Sequence, residues 1–400
     1  MADAMVVPNA MLSPRPVLML PELGDAGHHP ASRRILSWLR NWAANVPSPT
    51  VTVPCDDDGL GLERDMGVLC DHVLTHSAHR SAHLSTLFVA ALARPDLDPD
   101  GALLRFASQL LVDTLPAEIL PDGAPTDPDA RGEIAALGPL LGALANARCF
   151  GMSLPTEFEQ RLERACEFAL HTDPGRHVVV LQLAGELFRR PDFLYGATAG
   201  ARGTRPHGRS PSFWHGGFVV QRRSWDEQFA VFDSASLTVS FAPTSWASIV
   251  RHSLSTSDTA RTPVTTGRIT CRFNEPGLDL VCAEARDPFS DTSHTRWLVF
   301  IDDDYWLVLD RLEGVDVSRS PMRIQFDAEG SSIADTALQV ICAPSVQTTT
   351  RDRGSAAHLL MLIGPKRDVQ PRLTIRECAS VMTVEVFGVG RTGNARDLVT

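Results

Sequence analysis

Four histidines fall within twelve residues, at positions 72, 76, 79 and 83. Spacings of four, three and four put them on one face if a single helix runs through the stretch. Imidazole moves protons near neutral pH, and in its neutral form it ligates metals. Three readings fit: an i, i+4 metal-binding pair, a general acid/base group in a cleft with His79 favoured and His76 beside it, or a partly exposed polar helix face. No acidic third ligand stands nearby, so neither a metal nor any other cofactor is expected. Arg80 adjoins His79, and a guanidinium there lowers an imidazole's pKa, leaving it neutral and able to act as a base. Arg80 and His83 are the substrate-binding candidates of this stretch.

A second concentration is cationic. From Arg189 to Arg223 there are seven arginines and one acid, Asp192, a local charge of +6 in a chain of net charge −11. Arg205, Arg222, Arg223, His207 and His215 are the candidates for holding an anion, and Trp214 for stacking on a sugar. The alternative is a solvated, arginine-rich linker. Lysine is almost absent, with Lys366 against 36 arginines. Anions would therefore meet guanidinium forks, which suit carboxylates.

These groups need elements to position them, and the two halves of the chain read differently. From about residue 31 to 190 the apolar residues keep helical spacing, as in Phe158, Leu162, Ala165, Cys166 and Ala169. Thr156 and Glu159 open that helix with a capping-box pattern. From about 213 onward the period is two, and residues 296–301 and 305–310 predict a β-hairpin. The expected domains are an N-terminal extension (1–24), a helical domain (25–190), an arginine-rich junction (191–212) and a β domain (213–400).

Composition narrows the function classes. The 400 residues are 44% hydrophobic and 21% charged, a globular composition. An acidic chain is a poor non-specific binder of nucleic acid or membrane surfaces. There is no apolar run long enough to span a bilayer and no basic leader, so a cytoplasmic protein is expected. None of the eight cysteines forms a C-x-x-C pair, and reduced thiols are expected. No nucleophile elbow, phosphate loop or dinucleotide fingerprint is present.

Several stretches carry a family likeness. Residues 75–83 hold histidines and lead into a helix. Ile119-Leu-Pro-Asp-Gly123 is an Asp-Gly turn. Gly217-Phe-Val-Val-Gln-Arg-Arg-Ser-Trp-Asp226 reads as a first sheet strand, and His294-Thr-Arg-Trp through Asp310-Arg-Leu312 as a later hairpin. In order and spacing they resemble the heparinase II/III-like polysaccharide lyase superfamily, in a divergent, shortened form. The resemblance implies an α+β multidomain fold, with an N-terminal incomplete (α/α) toroid followed by a C-terminal antiparallel β-sandwich. It also implies β-elimination on uronate-containing chains. That chemistry needs a group to neutralise the carboxylate, a base for the α-proton and an acid for the leaving oxygen.

The family's Asn or His in the helical domain is matched by His79, but the preceding Asn is replaced by Ser77-Ala78. No tyrosine follows Asp122-Gly123. The chain has two, and only a rearrangement would make Tyr195 the acid. After Phe232-Asp233 the family's histidine strand is replaced by Ser234–Phe241, read here as a strand deletion. Three functions follow. One is a lyase-like enzyme acting by elimination or related acid/base chemistry on an anionic small molecule or oligosaccharide in an intracellular biosynthetic pathway. Another is a catalytically dead carbohydrate-binding or scaffold protein. The third is a uronate polysaccharide lyase with relocated catalytic groups.

Overall fold

The computed structural model describes residues 29–45, 58–76, 80–126, 137–207, 211–227, 229–242, 250–256, 267–286, 293–301, 305–313, 322–328, 338–342, 346–350, 354–365, 372–378, 381–387 and 396–399. The chain divides into two compact units. The first takes the described residues of Met1–Glu118 and Ile134–Glu163, the second those of Ile119–Glu133 and Arg164–Thr400.

The first unit is helical. It contains α1 (Pro30–Asn45), α2 (Asp58–Thr75), α3 (Arg80–Ala93), α4 (Ala102–Glu118), α5 (Leu137–Cys149) and the start of α6 (Thr156–Thr172). Every residue of α3 from Ser81 to Ala93 is buried, and α1, α2, α4 and α5 all pack against it. A helix covered on all sides is apolar all round, as Ala82, Leu84, Leu87, Phe88, Val89 and Leu92 make this one. Two of its three hydroxyls bond inside, Ser85 to Ser81 O and Thr86 to Ala82 O, with Ser32 of α1 meeting Thr86, while the buried Ser81 Oγ has no partner among the described residues. The Asp98 carboxylate accepts from the Leu103 and Leu104 amides and caps α4. α6 begins at Thr156 as expected, and its predicted stripe Phe158, Leu162, Ala165, Cys166 and Ala169 is buried. Glu159 gives its carboxylate to Arg148, at 2.5 Å.

The second unit holds the end of α6, then α7 (Val178–Leu187) and α8 (Pro191–Ala197), then the strands. One sheet runs β1 (Ser212–Phe213), β2 (Phe218–Arg222), β3 (Phe229–Asp233), β4 (Thr238–Ala242), β5 (Val250–Thr256). The next strands in sequence are β6 (Arg268–Glu275), β7 (Leu278–Arg286), β8 (Ser293–Ile301) and β9 (Tyr305–Glu313). They are followed by β10 (Met322–Ala328), β11 (Leu338–Cys342), β12 (Val346–Thr350) and β13 (Gly354–Pro365). β10 closes the first sheet beside β5, and the second sheet has the order β11-β13-β9-β8-β7-β6, with β12 also on β13. A three-stranded sheet follows, of β14 (Arg372–Cys378), β15 (Val381–Phe387) and β16 (Arg396–Val399). Every pairing is antiparallel.

The two large sheets share one core. Val219, Ala230, Phe232, Val239 and Phe241 come from the first, and Val281, Ala283, Leu298, Phe300, Trp306 and Val308 from the second. Their alternation is the period of two read from the sequence. The predicted hairpin is β8–β9, with Ile301 opposite Tyr305.

One expectation is corrected. Residues 72–83 do not form one helix, because α2 ends at Thr75 and α3 starts at Arg80. The stretch 191–212 opens with a helix, α8, and the two compact units divide within α6. Phe168 and His171, late in α6, pack on Phe213 and Trp225, which draws that half of the helix into the second unit. In the stretch after Asp233, β3, β4 and β5 are successive neighbours in the sheet. Among the described residues no helix is long and apolar enough to cross a membrane.

Candidate functional site

In the first unit the histidines gather although their helix is broken. His72 lies in the last turn of α2, where the Thr75 hydroxyl turns back to the Asp71 and His72 carbonyls, at 2.9 and 3.2 Å. His76 follows directly, its Nδ1 at 2.8 Å from Thr75 Oγ1. α3 restarts at Arg80, and Glu118 at the end of α4 accepts the Ser81 amide at 3.2 Å, placing a carboxylate at the positive end of α3. His83, one turn in, is 1% exposed.

A fourth ring comes from outside the predicted cluster. His29, just before α1, stacks on His72 with centroids 4.4 Å apart, and His72 stacks on His76 at 4.3 Å. His83 meets His72 edge-on at 5.1 Å and His29 at 6.4 Å. Burial, then the neighbouring His29 and His76, hold the His72 imidazole below its ordinary range and so neutral. Among the described residues no three His, Cys, Asp or Glu side chains are placed to share a metal ion. His79 lies outside the described residues. Arg80 is half-buried, and its Nε has no hydrogen-bond partner among the described residues.

In the second unit the Asp-Gly turn has a definite task. Asp122 Oδ2 accepts the amides of His215 (2.6 Å) and Gly216 (3.1 Å), while Oδ1 accepts that of Ala124. The carboxylate thereby fixes the turn between β1 and β2. Gly123 has φ +91°, and a Cβ there would run into the Arg164 carbonyl. Arg164 in turn donates to Pro121 O. On the surface of this fixed turn stand Trp214, 58% exposed, and His215, also exposed. A large indole held out to solvent on rigid backbone is a ready stacking platform.

The arginines are mostly engaged. Arg190 forks onto Asp192 at 2.6–2.9 Å. Arg205 pairs with Asp226 Oδ2, and the buried Tyr195 hydroxyl donates to Oδ1 of the same carboxylate at 2.8 Å. Arg223 pairs with Glu227 at 3.3 Å. Asp226 and Glu227 lie just past the window that counts +6, so the chain folds its own acids back onto the basic stretch. His207 is exposed in a bend, and Arg209 lies outside the described residues.

Arg222 differs from what the sequence suggests. It is 1% exposed, its guanidinium sits 3.9 Å over Trp225 and 4.8 Å over Phe229, and it donates to His171 O. Burial lowers it to about 9. At the end of β2, it is a packing element rather than a surface anion clamp. His171, missed in the sequence, is buried beside Trp225, and burial, then Arg222 and Arg190, push its imidazole well below the ordinary range.

A third polar group, also missed, is the buried Arg296–Asp310 pair, directly opposite each other on β8 and β9. Arg296 forks onto the carboxylate at 2.6 and 2.9 Å and also donates to Leu237 O across the core. His294 Nε2 lies 2.7 Å from Asp310 Oδ1. Burial alone would raise the Asp310 carboxyl, but Arg296 and the His294 contact hold it far below the usual range. The readable signal was Arg and Asp flanking a hairpin at matching distances from its turn.

No protein-family model matches the chain. No curated protein matches it either. Solved structures do. A heparinase III gene product superposes with a TM-score of 0.71 at 14% identity, over 92% of this chain and 73% of that one. The heparan sulfate lyase HepC from Pedobacter heparinus gives 0.65 at 14% identity, over 92% and 73%. A further heparinase III structure gives 0.63 at 13% identity, over 91% and 78%. The likeness read from the motifs therefore holds at the level of the fold, and the chain spans about three quarters of the length of these structures.

Proposed function

We propose that this protein is lyase-like and acts on a carboxylate-bearing small molecule or oligosaccharide, by elimination or a related acid/base reaction in an intracellular biosynthetic pathway. Its finer architecture, on this reading, is an incomplete (α/α) toroid followed by an antiparallel β-sandwich. The observation that carries the proposal is the rigid turn presenting Trp214 and His215 to solvent, locked by Asp122 and Gly123. A sugar ring stacks on such an indole, and an exposed imidazole beside it can exchange protons.

Elimination moves three groups. A base takes the proton α to the carboxylate, the β carbon–oxygen bond breaks, and an acid protonates the departing oxygen. A guanidinium on the carboxylate makes the α-proton acidic. Arg205 and Arg223, both half-exposed, are the guanidinium candidates. In the second unit the base candidate is His215; in the first unit, taken by itself, the base candidates are His76 and His79.

A non-catalytic carbohydrate-binding reading has one specific observation in its favour. The Tyr195 hydroxyl, the acid candidate, is buried and donates to Asp226, whose other oxygen holds Arg205. Uronan oligosaccharides followed at the absorbance band of unsaturated uronates separate the two. The lyase reading expects product, lost in Trp214→Ala and in His79→Ala. Binding that needs Trp214 but yields no product selects the binding reading. Neither binding nor product overturns both.

A further inference from the structure

At the free edge of the second large sheet lies a pair of thiols that none of the chemistry above uses. Cys271 on β6 and Cys282 on β7 are direct cross-strand partners. The register shifts between Ile269 and Cys271, so Thr270 is an extra residue in β6, a bulge that twists the strand locally. Val281 and Ala283, on either side of Cys282, belong to the core, so Cys282 points to the opposite, outer face, and Cys271 opposite it shares that face. β6 is an end strand, Cys271 is exposed, and Cys282 is 6% exposed.

Facing residues of an antiparallel pair stand about 4.5–5.5 Å apart between Cα atoms. A disulfide accepts roughly 4.4–6.8 Å. Direct cross-strand pairing therefore puts the two Cα atoms within the range a disulfide bridges. Burial pushes the Cys282 thiol up, and the nearby Cys271 and Glu284 add to it, so Cys282 is the less reactive partner.

We propose that Cys271 and Cys282 form an oxidisable dithiol that a small-molecule disulfide converts to one intramolecular cross-strand disulfide. The exposed Cys271 thiolate attacks one sulfur of the small disulfide. That S–S bond breaks, one half leaves and takes a proton, and a mixed disulfide remains on Cys271. The Cys282 thiol gives up its proton and attacks Cys271 Sγ, expelling the second half as a thiol. Two protein thiols are oxidised and one small disulfide is reduced to two thiols. The product straps the edge strand to β7 beside its bulge.

The test is incubation of the native full chain with glutathione disulfide, alkylation of remaining thiols, and non-reducing peptide mapping by mass spectrometry. The expected result is a peptide pair linked through Cys271 and Cys282, carrying no glutathione. Cys282→Ser should retain glutathione on Cys271, and Cys271→Ser should leave Cys282 reduced. Alanine replacements serve the same purpose if a serine variant does not fold. Stable glutathione on Cys271 of the unaltered protein overturns the proposal. So does an unmodified pair under conditions in which the exposed Cys149 reacts.

Discussion

The helices and the sheets of this molecule treat ionisable groups in opposite ways. Around α2 and α3, imidazoles lean on other imidazoles, His29 on His72 on His76 with His83 edge-on. Burial, then His29 and His76, disfavour the charged form of His72. Between β8 and β9 the opposite is true. Asp310 is enclosed by Arg296 and His294, and the site holds together only if its carboxylate is charged. At His72 charge is disfavoured, and at Asp310 it is required. The two should therefore fail under different perturbations.

The largest expected effect is in the sheets. Asp310→Ala leaves the Arg296 guanidinium buried at 0% exposure without its carboxylate. Breaking a buried pair from one side costs about 3–5 kcal/mol. Chemical denaturation followed by Trp fluorescence should show that loss. Replacing both partners with apolar residues, Arg296→Met with Asp310→Leu, should recover most of it. If the single variant cost no more than a surface substitution, the charge-dependent view of this core would fail.

Next comes the clasp. Gly123→Ala puts a side chain at φ +91° against the Arg164 backbone. Backbone strain of this kind costs of order 1–3 kcal/mol. The same variant should loosen the Asp122 hold on the Trp214 turn, and so weaken sugar binding more than a distant variant of equal stability.

The response to acid separates the regions more sharply. His72 titrates in the folded state below the ordinary imidazole value of 6.5, so the unfolded chain binds its proton first. Stability from this group is complete above about pH 6.5 and is lost as pH falls through the lowered folded value. His171 has the same sign, with a larger displacement. Asp310 also has a lowered folded value, but its ordinary value is 3.8, so its contribution survives until pH falls below about 4. Helical circular dichroism should therefore soften as pH falls below 6.5 while near-ultraviolet signals from the sheet core persist. His72→Phe combined with His171→Phe keeps rings in place and should flatten the first phase. A single transition near pH 4 for both signals would remove the distinction.

What the sequence revealed follows the same division. Periodicity located α6 and the β8–β9 hairpin because apolar burial is a local, repeating pattern. The Asp122-Gly123 turn was visible as a motif, yet its role was not, because His215 and Gly216 lie more than ninety positions further on. The histidine spacing identified His72, His76 and His83 as neighbours. The continuous helix it implied was wrong, since Thr75 and Glu118 end one helix and cap the next. His29 was invisible, since nothing local ties it to His72. The arginine excess was overstated for a geometric reason: a linear window stopped before Asp226 and Glu227, whose carboxylates the fold returns to Arg205 and Arg223.

That last pairing gives the smallest effect and the closest comparison. Tyr195 and Arg205 both hold Asp226, one from a buried position and one from solvent. Tyr195→Phe removes a buried donor and should cost about 1 kcal/mol. Arg205→Ala removes a solvated partner, and exposed ion pairs contribute little once side-chain ordering and screening are counted. Its effect on thermal stability should be indistinguishable from zero at 0.15 M salt and emerge only at low ionic strength, where the Debye length grows. If Arg205→Ala instead lowered sugar affinity without moving stability, the guanidinium would be free to leave Asp226 for a substrate carboxylate. The pair would then be a resting state of the binding site rather than part of the fold's framework.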